Sequence, residues 1–328
     1  MRGSGVSEEL LTIGIDIGGT NLRAAVINQA GVVLDMEQLP TPPSSGALET
    51  AVEAVVDKLT ARHPQVAAVG LAIAGFVDEN QETVRFAPHL PWRGSNVKQN
   101  MSKRLGLPVT VEHDANSAAW GEHFFGAAKE TKTWVLCALG TGIGGAIMMN
   151  GDIYRGAFGV APEFGHLTVM PNGRRCPCGK RGCLERYCSG SALPLTAQDL
   201  IAMGRYPESR LAQEYGNHPE EITGRVVVNM AREGDPLALA VIKDMATWLG
   251  RGLAMVQDIL DPELIVLGGG VAADADLYLE RAERVMHRSV VGAGSRPVAR
   301  LAVAELGSQA GMIGVAKLAR NELLGDKG

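Results

Sequence analysis

Between residues 163 and 185 the chain reads Glu-Phe-Gly-His-Leu-Thr-Val-Met-Pro-Asn-Gly-Arg-Arg-Cys-Pro-Cys-Gly-Lys-Arg-Gly-Cys-Leu-Glu. His166, Cys176, Cys178 and Cys183 fall in this one segment, and an imidazole with three thiolates is the ligand set of a closed, tetrahedral zinc site. Three of the five cysteines lie within eight residues, which is not how thiols buried as small apolar groups distribute. Gly173, Gly179 and Gly182 supply the backbone freedom needed to bend four ligands onto one metal. The segment is flanked by Glu163 and Glu185, so a structural zinc here would pin two carboxylates, groups that bind hydroxyls. Cys137 and Cys188 remain, and both are expected to be packing residues.

A second kind of chemistry is written in glycine. Residues 10–16 read as a buried strand ending in the carboxylate of Asp16, followed by Ile17-Gly18-Gly19-Thr20-Asn21 and two further strands over 22–27 and 32–37. A tight glycine turn between strands can aim backbone N–H groups at phosphate oxygens. A hairpin after the glycine pair excludes the dinucleotide fingerprint, which opens a helix, and the P-loop, whose Gly-Lys-Ser/Thr is missing. The pattern repeats: a strand over 133–139, then Gly140-Thr141-Gly142-Ile143-Gly144-Gly145, then another strand to Met149. Such an echo is what two duplicated halves would produce. Gly268, Gly269 and Gly270 close a later strand over 262–267, where the bare backbone allows a planar ring to approach. Gly75 follows an apolar strand over 66–74, at the end where parallel sheets present ligand loops.

The spacing Glu-Phe-Gly-His, nine residues, Cys-x-Cys-Gly-x-x-Gly-Cys-x-Glu resembles the zinc signature of the ROK family of sugar kinases and sugar-responsive repressors, and the resemblance extends over nearly the whole chain. It implies an α/β fold of the actin-like ATPase (ribonuclease H-like) type, two domains with a cleft between them. Residues 1–120 plus 307–328 would form the first and 121–306 the second, with the zinc loop. The activity implied is transfer of the γ-phosphoryl of ATP to a sugar hydroxyl, with glucose and its 6-hydroxyl as the expected acceptor. Phosphate turns would be Gly18, Gly19, Thr20 and Asn21, with Thr141, Gly142 and Gly144. Asp16 would sit near a magnesium ion, and Gly268, Gly269 and Gly270 would form the adenosine turn. Gly75, His113, Asp114, Glu163, His166 and Glu185 would contact the sugar.

A short strand over 107–112 delivers His113-Asp114-Ala115-Asn116 to the head of a helix over 117–125. Position alone leaves Asp114 open between a helix-capping role and a functional one. The resemblance makes it the catalytic base. The family carries asparagine where this chain has His113, which lacks the amide's paired donor and acceptor and bears on sugar selectivity.

The remaining expectations follow from composition and pattern. A net charge of -5 and a pI near 5.9 argue against a nucleic-acid surface. No apolar run reaches a membrane span, no signal region opens the chain, and cysteine usage suits a reducing compartment, so a cytoplasmic protein is expected. Residues 1–9 are expected to be frayed, 47–62, 236–259, 272–288 and 307–324 to be helical, and 297–303 to be a strand. Residues 86–92 read as an apolar loop in which Trp92 either closes over sugar or packs between domains; 154–160 reads as a flexible connection, and 193–224 as an insertion or helical cap. The family resemblance suggests a homodimer or homotetramer. Alternatives are a kinase for mannose or N-acetylmannosamine, a polyphosphate-using glucokinase, and, remotely, a non-catalytic sugar-sensing regulator, for which the nine residues ahead of Leu10 leave no helix-turn-helix.

Overall fold

In the computed structural model, which describes residues 10–326, the first described strands are β1 (Leu11–Ile17) and β2 (Asn21–Ile27), both largely buried, and β3 (Val33–Pro40), which alternates between half-buried and exposed residues. They are followed by α1 (Ser45–Arg62), β4 (Val66–Ile73), the short strands β5 (Phe76–Val77), β6 (Thr83–Phe86) and β7 (Arg93–Asn96), α2 (Val97–Leu105), β8 (Val109–His113) and α3 (Asp114–Phe125). The glycine-rich echo forms β9 (Trp134–Leu139), β10 (Ile143–Met149) and β11 (Asp152–Ile153). A helical stretch comprises α4 (Glu185–Cys188), α5 (Ala192–Ala202), α6 (Arg210–Tyr215), α7 (Gly224–Arg232) and α8 (Pro236–Leu260). The chain ends with β12 (Leu264–Gly268), α9 (Leu279–Ser289), β13 (Arg300–Val303) and α10 (Ala310–Leu324).

Two five-stranded mixed sheets result, ordered β3-β2-β1-β4-β8 and β11-β10-β9-β12-β13. The orders are the same when each half is counted from its own first strand, so the repeat in the sequence is a repeat in topology. In the first sheet β1, β4 and β8 are parallel, with Ile17 opposite Ile73 and Ile73 opposite His113. Strands buried on both faces must be apolar at almost every position. Ile13, Ile15, Ile17, Val69, Leu71 and Ile73 are accordingly all sealed from solvent.

Several expectations change in detail. Residues 193–224 carry most of α5, then α6 and a 3₁₀ turn at Pro219–Glu221, joined by short irregular segments. The helix expected over 272–288 starts as a 3₁₀ segment, Gly270–Leu277, with non-helical geometry at Asp274, and only then becomes α9. The loop over 86–92 joins two strands of a three-stranded sheet, β5-β6-β7, and Trp92 is a fully buried member of the first core. It lines that core rather than a lid. Cys137 and Cys188 are buried, and burial pushes the Cys137 thiol up to about 12 and the Cys188 thiol well above its ordinary value. Both are packing residues. The fraying expected over 1–9 lies outside the described residues.

The chain divides into two compact units, one of residues 1–133, 146–162 and 305–328, the other of 134–145 and 163–304. No helix among the described residues is long and apolar enough to cross a membrane.

In the first unit α10 lies on β1 and β4 and against α3 at backbone distance. A Cβ added at Gly14 of β1 would stand 1.9 Å from the Met312 carbonyl oxygen, one at Gly70 of β4 2.2 Å from that of Val315, and one at Gly314 of α10 1.8 Å from that of Ser117 in α3. Glu122, sealed from solvent near the end of α3, accepts the Leu306 and Glu305 N–H groups at 2.8 and 3.1 Å and that of Ala127 at 2.8 Å, fixing the approach to α10. Gly314→Ala should therefore cost about 3 kcal/mol, at the upper end of ordinary overpacking. Gly46, in α1 with open space around its Cβ position, should gain about 0.5 kcal/mol on replacement by alanine. Denaturant unfolding of the two variants checks the contrast, and equal effects would contradict the packing argument.

Candidate functional site

The carboxyl ends of β1, β4 and β8 are adjacent, and they bring Asp16, the Gly18-Gly19 turn, Gly75, His113 and Asp114 into one region of the first unit. Asp16 pairs with Arg23 across the β1-β2 hairpin. Burial nonetheless raises its pKa against the pull of Arg23, and the negative charge of Asp114 adds to the rise. A cation beside Asp16 would relieve that cost. The Gly18 N–H is engaged with the Asn21 carbonyl at 3.1 Å, closing the turn, and Thr41 bonds the Gly18 and Thr20 carbonyls at 2.6 and 2.9 Å. The Asn21 side chain accepts from Gln38 at 3.2 Å within the sheet, while Gly19 and Thr20 are exposed at the tip. Gly75 is glycine for a packing reason: a Cβ there would meet that of Ala87 at 2.6 Å.

Asp114 is the first residue of α3, and His113 occupies the N-cap position without a side-chain capping bond. Asp114 Oδ1 accepts the Ala115 N–H at 2.8 Å and lies 3.1 Å from His113 Nε2, and the carboxylate stays partly exposed. One residue earlier stands a group that sequence reasoning missed. Glu112 is buried and accepts from the guanidinium of Arg155, from Gln81 Nε2 at 3.3 Å, from Asn116 Nδ2 at 3.0 Å and from the His113 N–H at 2.9 Å. The segment over 154–160, expected to be a flexible connection, is thus tied through Arg155 to the strand end that carries His113 and Asp114. A charge at the last buried position of an apolar strand was the available signal. Removing Arg155 leaves that charge unpaired, so Arg155→Met should cost about 3 kcal/mol. A Glu112→Gln/Arg155→Met double variant should recover part of it, as a double-mutant cycle by denaturant unfolding will read.

In the second unit the zinc-type segment folds back on itself. Leu184 N–H bonds the Leu167 carbonyl at 2.8 Å, and antiparallel bridges join Thr168 to Cys183 and Arg175 to Arg181. This closes the four candidate ligands into a cluster: Cys176 Sγ is 3.7 Å from His166 Nδ1, Cys178 Sγ is 3.6 Å from Cys183 Sγ, and all four ligand atoms lie within 4.8 Å of one another. Ligands about 2.0–2.3 Å from a tetrahedral zinc are themselves roughly 3.3–3.8 Å apart, so the donor set and its spacing fit that ion. Burial raises the Cys176 and Cys183 thiols, an arrangement a dication would reverse.

His166 presents Nδ1 to the cluster and Nε2 to Glu163, 3.8 Å from its Oε2. Glu185 Oε1 lies 3.0 Å from Cys176 Sγ and 3.6 Å from His166 Nδ1. Its other oxygen would be 2.5 Å from a Cβ at Gly142, so the carboxylate rests directly on the glycine turn. That turn is closed by Gly140 N–H to the Gly142 carbonyl at 2.9 Å, with Thr141 and Gly144 exposed beside it. Gly268 ends β12 opposite Ala138 of β9, and Gly269, at φ +80°, passes so close that a Cβ would lie 2.4 Å from the Leu139 carbonyl oxygen. Gly270 is open to solvent. The predicted residues thus fall into two sets, Asp16 to Asp114 in the first unit and Thr141 to Gly270 in the second.

A sequence profile of the ROK family matches residues 12–322. The chain belongs to the ROK family. The glucokinase of Streptomyces coelicolor is 41% identical over 311 residues, 94% of this chain and 98% of that protein. The crystal structure of a ROK family glucokinase from Streptomyces griseus, in complex with glucose and AMPPNP, matches with a TM-score of 0.82 at 40% identity, over 95% of this chain and 99% of that one. A ROK hexokinase from Thermus thermophilus matches at 0.79 and 30%, covering 96% and 99% of the two chains. The fold is that of these ROK kinases, the actin-like ATPase fold. For this ROK protein, elemental analysis should return one zinc per chain, and Cys178→Ser should lower the content at least tenfold. A folded wild-type preparation without zinc would refute the metal assignment.

Proposed function

We propose that this ROK protein is a glucokinase, transferring the γ-phosphoryl group of ATP to the 6-hydroxyl of glucose. The observation that carries the reading is the position of Glu185, a carboxylate suited to sugar hydroxyls, on the Gly142 turn suited to phosphate and beside the metal-ligand cluster. Glucokinases at 41% and 40% identity, matched over almost their full lengths, support it.

In this reading Glu163, His166 and Glu185 hold sugar hydroxyls, with His113 and the backbone at Gly75 completing the contacts. His166 Nδ1 faces the cysteine cluster, so a zinc bond there would fix the ring and leave Nε2 to the sugar. Asp114 takes the proton of the 6-hydroxyl as its oxygen bonds to the γ-phosphorus and the bond from that phosphorus to the β-phosphate oxygen breaks, releasing ADP. His113 Nε2, 3.1 Å from Asp114 Oδ1, holds the carboxylate in place. The Gly18-Gly19-Thr20-Asn21 and Thr141-Gly142-Gly144 turns take the phosphates, and Gly268-Gly269-Gly270 the adenosine. Asp16 would hold a magnesium ion, which would supply charge neutralisation; with positioning, that is most of what catalysis in phosphoryl transfer requires. The protein acts as a homo-oligomer.

Asp114→Asn keeps the shape and removes the basicity. Turnover should fall about 10²- to 10⁴-fold, the usual cost of losing a general base. Glucose affinity by calorimetry should stay within a factor of a few. Retention of more than a tenth of wild-type turnover would return Asp114 to a purely structural role at the head of α3. A panel of glucose, mannose and N-acetylmannosamine against ATP and polyphosphate, run on the wild type, tests the choice of acceptor and donor; a clear preference for a pair other than glucose and ATP would overturn it.

A further inference from the structure

In the second unit a cavity of about 660 Å³ opens among the metal loop, α4, α5, α8 and α9, and none of its lining residues is among those assigned above to glucose or ATP. Its size is that of a small-molecule site. The Tyr187 and Trp248 rings line it with centroids 4.8 Å apart, held by the guanidinium groups of Arg174 and Arg251 at 4.9 and 5.1 Å from the respective rings. Two carboxylates face it as well. Asp199 is paired with Arg174 at 2.6 Å, and burial raises the pKa of Asp244 against the opposing charges of Arg174 and Arg251.

The remaining cations are not so matched. Lys243 on α8 and Arg281 on α9 both line the cavity, and among the described residues neither forms an ion pair. The Arg281 Nε–H donates instead to the Lys243 carbonyl and to Thr247 Oγ1, both at 3.2 Å, which fixes the guanidinium beside the ammonium-bearing residue. A concave site with two uncompensated cations at one side, aromatic faces at another and carboxylates that accept hydrogen bonds from hydroxyls matches an anion joined to a polyhydroxy ring.

We propose that this cavity binds a phosphorylated sugar, with the phosphate on Lys243 and Arg281, the sugar ring against Trp248 and Tyr187, and its hydroxyls on Asp199. The site is built into the substrate machinery. Tyr187 lies two residues after Glu185 in α4 and accepts the Arg174 N–H at 2.8 Å. Arg174 lies two residues before Cys176 and donates to the Arg186 carbonyl at 2.7 Å. The site itself stands apart from the proposed kinase activity; its use as a product sensor rests on that reading.

Glucose 6-phosphate, the product of the proposed reaction, is the probe. Calorimetric titration is run with the proposed active site already filled by glucose and AMPPNP, so that further binding reports the cavity. One equivalent should bind to the wild type, Trp248 emission should change, and a Lys243→Glu/Arg281→Glu variant should lose at least tenfold in affinity while its glucose turnover without sugar phosphate stays that of wild type. Absence of binding, or binding that the variant leaves intact, overturns the proposal. Equal affinity for inorganic phosphate would also overturn it, since the ring would then contribute nothing. If the variant instead dissociates an oligomer and the wild type binds no sugar phosphate, the cavity is a contact between copies. Should glucose and AMPPNP themselves fail to bind, the functional reading falls separately, and glucose 6-phosphate titrated alone still decides on the cavity.

Discussion

The first half of the molecule depends on how closely α10 approaches β1, β4 and α3. Ordinary helix-on-sheet packing separates backbones by the length of side chains, but at Gly14, Gly70 and Gly314 there is no room even for a methyl group. The contact binds together the two strands and the helix whose ends carry Asp16, Gly75 and Asp114. Glu122 adds a polar latch, since a buried carboxylate with three N–H donors cannot shift without losing them together. The last helix in the chain therefore determines the positions of groups that appear in its first 114 residues.

The second half solves the same problem with different means. Residues 163–185 contain few apolar side chains to bury, and a loop of that kind cannot offset its own ordering entropy by hydrophobic contact. The His166, Cys176, Cys178 and Cys183 cluster has the donor set of a tetrahedral metal site, and a metal there would supply the missing cross-links. The four candidate ligands come from both arms of the loop, so a metal closing the cluster would also fix the distance between Glu163 at one end and Glu185 at the other. Gly145 and Gly165 let the 3₁₀ turn Phe164–His166 settle on β10, where added Cβ atoms would meet Phe164 at 2.5 Å and the Ile143 carbonyl oxygen at 2.4 Å.

Legibility tracked the range of the interactions. The buried strands β1, β4 and β12 and the long helix α8 were readable because hydrophobic pattern is local, and α8 opens with Asp235 capping the Ala238 N–H ahead of Pro236. The clustering of the four candidate metal ligands was readable because all four fall within 18 residues of chain. What stayed hidden depends on partners far apart in sequence or on very short elements. The pair of Glu112 and Arg155 spans 43 residues, and β5 to β7 hold two to four residues each, too few for a period to declare itself. Trp92 carried an ambiguous signal, because a tryptophan in a proline-stiffened loop has the same composition whether it covers a ligand or fills a core. Here it fills a core.

Equivalent topology in the two halves carries unequal chemistry at its strand ends. The first strand of each half runs into a glycine turn and a returning strand, Gly18-Gly19 between β1 and β2, Gly142 between β9 and β10. Beyond that the halves diverge. In the first, the fourth and fifth strands of the sheet end near Gly75 and at His113-Asp114, and side chains with ionisable groups stand beside the turn. In the second, the corresponding β12 ends in Gly268-Gly269, where the backbone passes so close to Leu139 that no side chain fits. Acid-base chemistry needs side chains at defined positions, whereas cradling a flat ring or a phosphate needs backbone laid bare. One duplicated scaffold can meet both demands because the sheet sets only where the strand ends lie, and the residue at each end decides whether a carboxylate or a bare N–H is presented there.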